Sequence, residues 1–328
     1  MIIVQVLLGG ITRLTGSGLS ITEWKPIMGA LPPMNDAQWG EAFEKYKQIA
    51  QYQYLNSHFT LGDFKFIYFW EWFHRLWARS LGVVFGIGFI YFLIKRYFDK
   101  GMIIPFIILF ILGAAQGLVG WIMVASGLND SDLYVNHIKL ALHFMAALLL
   151  LCYTLWFALQ LLIPNAKRLT DSRFHNFTII VIILLAVQLV YGAFMAGLKA
   201  AMAAATWPTI NGMWIPDNLM VQSFINHPIN VHFMHRGLAY LLFVAIIFWF
   251  VSAGKAAKQN AQSLLGKYKI WPLLLVVIQL VLGIVTVISA PSIIVGKYGT
   301  YELLAQMHQL VAMFLLMALM INLYLVKK

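Results

Sequence analysis

Residues 66–94 read FIYFWEWFHRLWARSLGVVFGIGFIYFLI, a stretch that is long and apolar enough to cross a bilayer as one helix. Further stretches of similar length and composition lie at 102–125, 138–163, 177–198, 231–253, 270–290 and 303–326. Because 61% of the 328 residues are hydrophobic and 11% are charged, a soluble domain has too little interior to bury them. The sequence therefore predicts a helical membrane protein with several spans.

The first residues, MIIVQVLLGGI, predict one more helix, which stops at Arg13 and is short for a span. The stretch has no basic segment before it and no small-residue cleavage site, so we do not interpret it as a signal peptide. The single cysteine, Cys152, lies inside a predicted span. This excludes an intramolecular disulfide and any cysteine-based zinc or iron–sulfur site.

The net charge of +11 is distributed by side rather than in one patch. Basic residues cluster in alternate connections and at the C-terminus: Lys95, Arg96 and Lys100; Lys167, Arg168 and Arg173; Lys255, Lys258, Lys267 and Lys269; Lys327 and Lys328. By the positive-inside rule these connections and both termini are cytoplasmic, as expected in a bacterial inner membrane. The distribution argues against nucleic acid as a partner.

Four helix pairs repeat one pattern. The odd-numbered helices carry Q-x-x-x-G at Gln5–Gly9, Gln116–Gly120, Gln188–Gly192 and Gln279–Gly283, and the even-numbered ones carry His74, His143, His235 and His308. Glycine permits close helix approach and glutamine bonds across helices, so we interpret Q-x-x-x-G mainly as packing.

The repeat predicts the architecture. We expect an all-α integral membrane protein with eight transmembrane helices in two pseudo-symmetric four-helix bundles, residues 1–165 and 175–328. The first half has a long outer loop at 12–65, in which residues 40–55 predict a short amphipathic surface helix.

Two histidines in each half, with no thiols, suit haem iron better than zinc, which needs three or four protein ligands. The four histidines therefore predict one haem site per half, near the outer, periplasmic side. A lone core histidine is often only a satisfied polar group, but four at matching positions favour ligation. His232 precedes His235 by one helical turn and is the least certain of the remaining histidines.

Arg75, Arg79 and Arg236 lie beside these histidines at outer helix ends, where cations are disfavoured. Haem propionates would explain them, and snorkelling to headgroups is the alternative. Glu71 shares a helix face with His74 and has no counterpart in the second half. It either orients an imidazole or pairs with an arginine, or it acts on the bound ligand, in which case the two sites differ.

Three segments together resemble the heme A synthase family, in its mitochondrial and proteobacterial-like form without the outer-loop cysteine pair. They are GGITRLTGSGLSITEWKP at 9–26, LNSHFTLGDFKFIYFWEWFHRLWAR at 55–79 and TWPTINGMWIP at 206–216. The resemblance covers nearly the whole chain. It implies a haem-dependent oxidoreductase that oxidises the C8 methyl of heme O to a formyl group, giving heme A for cytochrome oxidase.

The resemblance also implies residue roles. His235 and His308 would bind heme b in the second half, while the substrate heme O would bind near His74 and His143, with Glu71 essential. An electron donor is needed, and heme O synthase, cytochrome oxidase assembly factors and a second copy of the chain are candidate partners. A diheme, quinone-linked cytochrome that only transfers electrons, or a haem carrier, remain the alternatives.

Overall fold

The computed structural model describes residues 1–24, 28–99, 101–217, 219–259, 263–294 and 298–328. Regular structure in this part of the chain is almost entirely helical. The α-helices are α1 (Ile2–Leu14), α2 (Asp36–Tyr46), α3 (Leu61–Ile94), α4 (Ile103–Ala125), α5 (His137–Leu162), α6 (Ser172–Gly197), α7 (Pro228–Ala257), α8 (Leu265–Tyr268), α9 (Ile270–Ser289) and α10 (Thr300–Leu325). Two-residue strands, β1 (Leu169–Thr170) and β2 (Val326–Lys327), pair in parallel.

Among the described residues, seven helical segments are long and apolar enough to cross a membrane. They are Leu61–Ile94, Ile103–Ala125, His137–Leu162, Ser172–Gly197, Pro228–Ala257, Leu265–Ser292 and Thr300–Leu325. The prediction of an all-helical, multi-pass membrane protein is thus confirmed. Helix α1 has 13 residues, so an eighth span and the arrangement in two bundles stay predictions.

Helix α3 begins five residues before the apolar stretch that predicted it, because a capping box fixes its start. The Thr60 hydroxyl accepts a hydrogen bond from the Asp63 backbone N–H at 3.3 Å, and the Asp63 carboxylate accepts one from the Thr60 N–H at 2.9 Å. These bonds satisfy N–H groups that lack partners in the first helical turn. Polar caps of this kind extend a helix beyond its hydrophobic part.

The chain divides into two compact units, residues 1–150 with 294–298, and residues 151–293 with 299–328. In the first unit α1 and α2 both pack against α3. In the C-terminal half of α3, phenylalanine rings pack against those of α4. The ring centroids of Phe85 and Phe110 are 4.6 Å apart. The predicted halves, 1–165 and 175–328, stay a prediction.

The segment between α1 and α3 has a core of its own, formed by Leu19, Phe43, Tyr46, Ile49, Phe64 and Ile67. The amphipathic helix expected within 40–55 is α2, which ends at Tyr46 rather than continuing. There the Tyr46 hydroxyl bonds Gln51 at 3.0 Å and accepts a hydrogen bond from Asn56 at 2.8 Å. Burial raises the pKa of Tyr46 to about 12, so this hydroxyl keeps its proton.

In the second unit four helices close a ring of contacts, because α6 packs on α7, α7 on α9, α9 on α10 and α10 on α6. The fully buried Trp249 of α7 donates its indole N–H to Thr178 of α6 at 2.9 Å. A buried indole usually needs such a partner. The four helices of this unit therefore pack in a closed ring, and their arrangement as a four-helix bundle stays a prediction.

Candidate functional site

Each of the four repeat histidines lies against the glycine of a Q-x-x-x-G motif. A Cβ atom built on Gly9, Gly120, Gly192 or Gly283 would lie 3.3, 2.7, 3.4 or 3.0 Å from the ring of His74, His143, His235 or His308, respectively. Real Cβ atoms essentially never come as close as 2.7 Å to another atom. A Cβ atom at position 120 would therefore force the ring of His143 to move, and the motif glycines form a shallow slot for an imidazole of the next long helix.

The glutamine of the motif contacts the same residue as the glycine. The amide nitrogen Nε2 lies 3.2 Å from a ring nitrogen in three pairs: Gln116 with Nδ1 of His143, Gln188 with Nδ1 of His235, and Gln279 with Nε2 of His308. In the fourth pair Gln5 donates to the backbone carbonyl of His74 at 3.3 Å. The packing interpretation thus holds, and the structure adds that the packed group is the histidine.

His235 and His308 face each other in the second unit. Their ring centroids are 6.3 Å apart and the rings are inclined by 74°. Because metal–nitrogen bonds are about 2 Å long, an imidazole bound to iron has its centroid roughly 3 Å from the metal. Two ligands on opposite sides of one iron are then about 6 Å apart, so the observed spacing fits a bis-histidine haem. Nδ1 of His308 is buried and has no partner among the described residues, which leaves it available.

His74 and His143 lie in the first unit on α3 and α5, and both imidazoles are partly buried. Their pairing around one iron stays a prediction. Among the described residues no group of three or more His, Cys, Asp or Glu side chains could hold a metal ion.

Glu71 is 2% exposed and its carboxylate is surrounded by donors. Oε2 accepts hydrogen bonds from the Ser20 hydroxyl at 2.7 Å and the Ile21 N–H at 2.9 Å, and Oε1 pairs with Arg75 at 2.6 Å. Three donors therefore hold this buried carboxylate in one position. Of the two structural roles expected, the pairing with an arginine is present, whereas no hydrogen bond among the described residues joins Glu71 to an imidazole.

Arg75 joins this cluster to the chain that follows α1. It donates to the carbonyls of Ile21 at 3.1 Å and Glu23 at 3.4 Å. The same guanidinium lines a surface recess with Trp24 and Trp121 among its walls. An arginine in this position can recognise a carboxylate from the recess. Arg79 lies one turn further along α3 and is partly buried.

The second unit repeats this arrangement with a histidine in place of the glutamate. Nδ1 of the fully buried His232 accepts a hydrogen bond from Nε of Arg236 at 3.1 Å. Arg236 also donates to the carbonyls of Ala204 at 2.9 Å and Thr209 at 3.2 Å. Each arginine thus connects its own helix to the segment that follows the preceding Q-x-x-x-G helix, α1 for Arg75 and α6 for Arg236. His232 belongs to the site.

Sequence reasoning did not identify Ser20 or the glutamines as partners of the site residues. The fourfold recurrence of glutamine ahead of each histidine was the available signal. Ser20 had none, because its contact joins residues 51 positions apart.

Comparison with known proteins shows the family of the chain. Residues 1–320 match the family model COX15-CtaA, described as cytochrome oxidase assembly protein. The chain is 36% identical to the heme A synthase of Flavobacterium johnsoniae over all of its length and 95% of that protein. It is 40% identical to the heme A synthase of Parvibaculum lavamentivorans, covering 80% of this chain and 77% of the relative. The heme A synthase of Paracoccus denitrificans is 38% identical over 88% of this chain and 78% of the relative.

Proposed function

We propose that the chain, which belongs to the COX15-CtaA family of cytochrome oxidase assembly proteins, is a heme A synthase. It is a membrane-bound, haem-dependent oxidoreductase that converts heme O to heme A for cytochrome oxidase. The observation that carries this assignment is its 36–40% identity to heme A synthases over most of the chain. The reaction turns the C8 methyl of the porphyrin into a formyl group. Neither an electron-transfer cytochrome nor a haem carrier is needed to explain the chain.

The second half holds the resident cofactor, heme b, between His235 and His308. The 6.3 Å ring spacing supports this assignment. A haem with two histidine ligands has no open coordination position and supplies electron transfer. The protein contributes the two imidazoles, the glycine slots that seat them and a tightly packed bundle that excludes water.

The first half receives heme O between His74 and His143. Glu71 is its chemically distinctive group, because the corresponding position in the second half is His232. Ser20, Ile21 and Arg75 hold the Glu71 carboxylate in a fixed place. Such a group stabilises positive charge or takes up a proton while the substrate methyl is oxidised.

Arg75, Arg79 and Arg236 bind the propionates of the two porphyrins. Support comes from the placement of Arg75 and Arg236, which keep part of their N–H groups after contacting backbone carbonyls. Those carbonyl contacts fix the guanidinium planes, so less side-chain entropy is lost when a carboxylate binds.

The seven long apolar helical segments and α1 form two bundles of four helices, and α1 is one of the four in the first bundle. Both termini and the lysine- and arginine-rich connections face the cytoplasm, and the histidines lie toward the opposite side. Heme O synthase and oxidase assembly factors are the partners expected at this membrane, since one supplies the substrate and the others receive the product.

Analysis of the bound haems tests this function directly. The purified protein, made in cells that also make heme O, should release heme b together with heme O or heme A on extraction and chromatography. The wild-type chain should also restore heme A in a host that lacks its own synthase. Heme b alone, with no heme A formed in that host, would contradict the assignment.

A further inference from the structure

The first Q-x-x-x-G motif of the chain, Gln5–Gly9, differs from the other three. In the part of the chain that the structure describes, no hydrogen bond reaches the imidazole of His74. Gln5 instead donates to the His74 backbone carbonyl at 3.3 Å. Gly9 still lies under the ring, since its Cβ would be 3.3 Å from Nε2. The slot is therefore present at His74, but the amide contact to the ring is not.

An amide contact matters for a metal-binding imidazole. A neutral imidazole that binds iron through one nitrogen carries its proton on the other, and that N–H needs an acceptor. A glutamine can supply this acceptor when its side-chain amide is turned by 180°. This turn exchanges Oε1 and Nε2, two atoms that are nearly indistinguishable in most structures. Oε1 of Gln188 is buried and has no partner among the described residues. Turning this amide lets its oxygen accept a hydrogen bond from an N–H at Nδ1 of His235 and leaves Nε2 of the imidazole for iron, while the amide NH₂ takes the place that has no partner.

The same orphan acceptor occurs in Gln116 and Gln279, each beside a ring nitrogen. Gln279 can in the same way fix one ring nitrogen of His308 as the protonated one, whereas Nε2 of Gln116 also donates to the His143 carbonyl at 3.1 Å and so holds the ring plane as it stands. Outer partners of this kind typically change metal affinity by about 10- to 100-fold. In three of its four copies the motif thus both packs helices and places a glutamine amide beside an imidazole nitrogen.

We propose that Gln116, Gln188 and Gln279 are positioning residues for the iron-binding imidazoles, and that His74, whose ring receives no amide, is the releasable ligand. The inference rests on the proposed function, in which the first half takes in heme O and gives up heme A. A site that must discharge its porphyrin requires one ligand that lets go. In the second half both imidazoles are held, as a permanent haem requires.

The test compares glutamine-to-leucine variants of the purified full-length protein. Haem loss is followed as transfer to excess apomyoglobin, with heme b and heme A distinguished by their absorption bands. Gln188→Leu should lose heme b about 10- to 100-fold faster than wild type. Gln116→Leu should lose heme A faster by a similar factor, whereas Gln5→Leu, the matched variant, should lose it at the wild-type rate.

A spectroscopic measurement separates positioning from packing. Gln188→Glu keeps the shape and an acceptor, so it should restore haem retention, and its charge should lower the midpoint potential of heme b by making the imidazole more basic. If Gln188→Leu retained haem at the wild-type rate and potential, or if Gln5→Leu and Gln116→Leu lost heme A equally fast, the proposal would be wrong. The heme b measurements do not depend on turnover, so they test the role of Gln188 even if no heme A is formed. A wild-type protein that fails to make heme A would overturn the proposed function alone.

Discussion

Replacing Glu71 by glutamine is the most direct test of the chemistry in the first half. The side chain keeps its shape, but one of its two acceptor oxygens becomes an N–H donor. Ser20 and Ile21 donate to one oxygen and Arg75 to the other. In Glu71→Gln, the new NH₂ group must therefore face donors on one side, whichever way the amide is turned.

The structural cost can be bounded from these contacts. Each buried polar group left without a partner costs about 1–3 kcal/mol. The Arg75 side chain is 16% exposed, so water partly compensates the guanidinium, and the cost for this pair lies at the low end. The loss falls on the short segment at Ser20 and Ile21 rather than on the helix packing, so folding and haem binding should survive.

The effect on the reaction should be larger. Loss of a general acid–base or charge-stabilising group typically lowers a rate by about 10²- to 10⁴-fold. At about 1.4 kcal/mol per tenfold, this corresponds to roughly 3–6 kcal/mol in the activation barrier. Heme A should therefore fall below detection in cells that make heme O, while the heme b content of the purified protein stays at the wild-type level.

Ser20→Ala is the matched control, because it removes the 2.7 Å hydrogen bond but keeps the carboxylate and Arg75. It should loosen the same segment and leave most of the heme A yield. The assay is extraction and chromatography of total haem from cells, together with the low-spin spectrum of the purified protein. Near-normal heme A in Glu71→Gln would refute the catalytic role, and equal losses in both variants would assign Glu71 to holding the segment in place.

Three further outcomes are expected. Replacing either His235 or His308 by alanine should abolish the low-spin haem spectrum or deplete heme b, and an unchanged spectrum in both would remove the ligand assignment. Gly120→Ala should lower heme A yield while heme b is retained, because its Cβ would lie 2.7 Å from the neighbouring imidazole and overpacking costs about 1–3 kcal/mol. A membrane-impermeant thiol reagent applied from the periplasm should label a cysteine at Asp130 and not one at Lys167, and the reverse pattern would invert the topology.

The spans could be predicted from the sequence because hydropathy reports the part of a helix that lies in lipid. Their ends could not, since polar caps set them. Helix α6 begins at Ser172, five residues before the predicted 177, where Asp171 accepts a hydrogen bond from the Phe174 N–H at 3.0 Å. Helix α7 likewise begins at Pro228 rather than 231, and proline is favoured in a first turn.

The position of the four histidines against the motif glycines follows the sequence repeat, because a repeat with similar offsets places equivalent residues at equivalent positions. Their partners could not be assigned in the same way. Whether a glutamine reaches a ring nitrogen, a backbone carbonyl or both, as Gln116 does at His143, depends on small helix rotations. Gln188 and Gln5 occupy the same motif position, yet one contacts an imidazole and the other a carbonyl.

The exchange of Glu71 for His232 at the equivalent repeat position gives the two halves different electrostatics. Glu71 and Arg75 form an ion pair with no net charge. His232 accepts a hydrogen bond from Arg236 through Nδ1 and is therefore neutral there, and no carboxylate among the described residues pairs with Arg236. A porphyrin carboxylate bound as proposed would thus meet a compensated arginine in the first half and an uncompensated one in the second. This difference would act in the same direction as the missing amide at His74, because both would weaken the hold of the first half on the haem that we propose it releases.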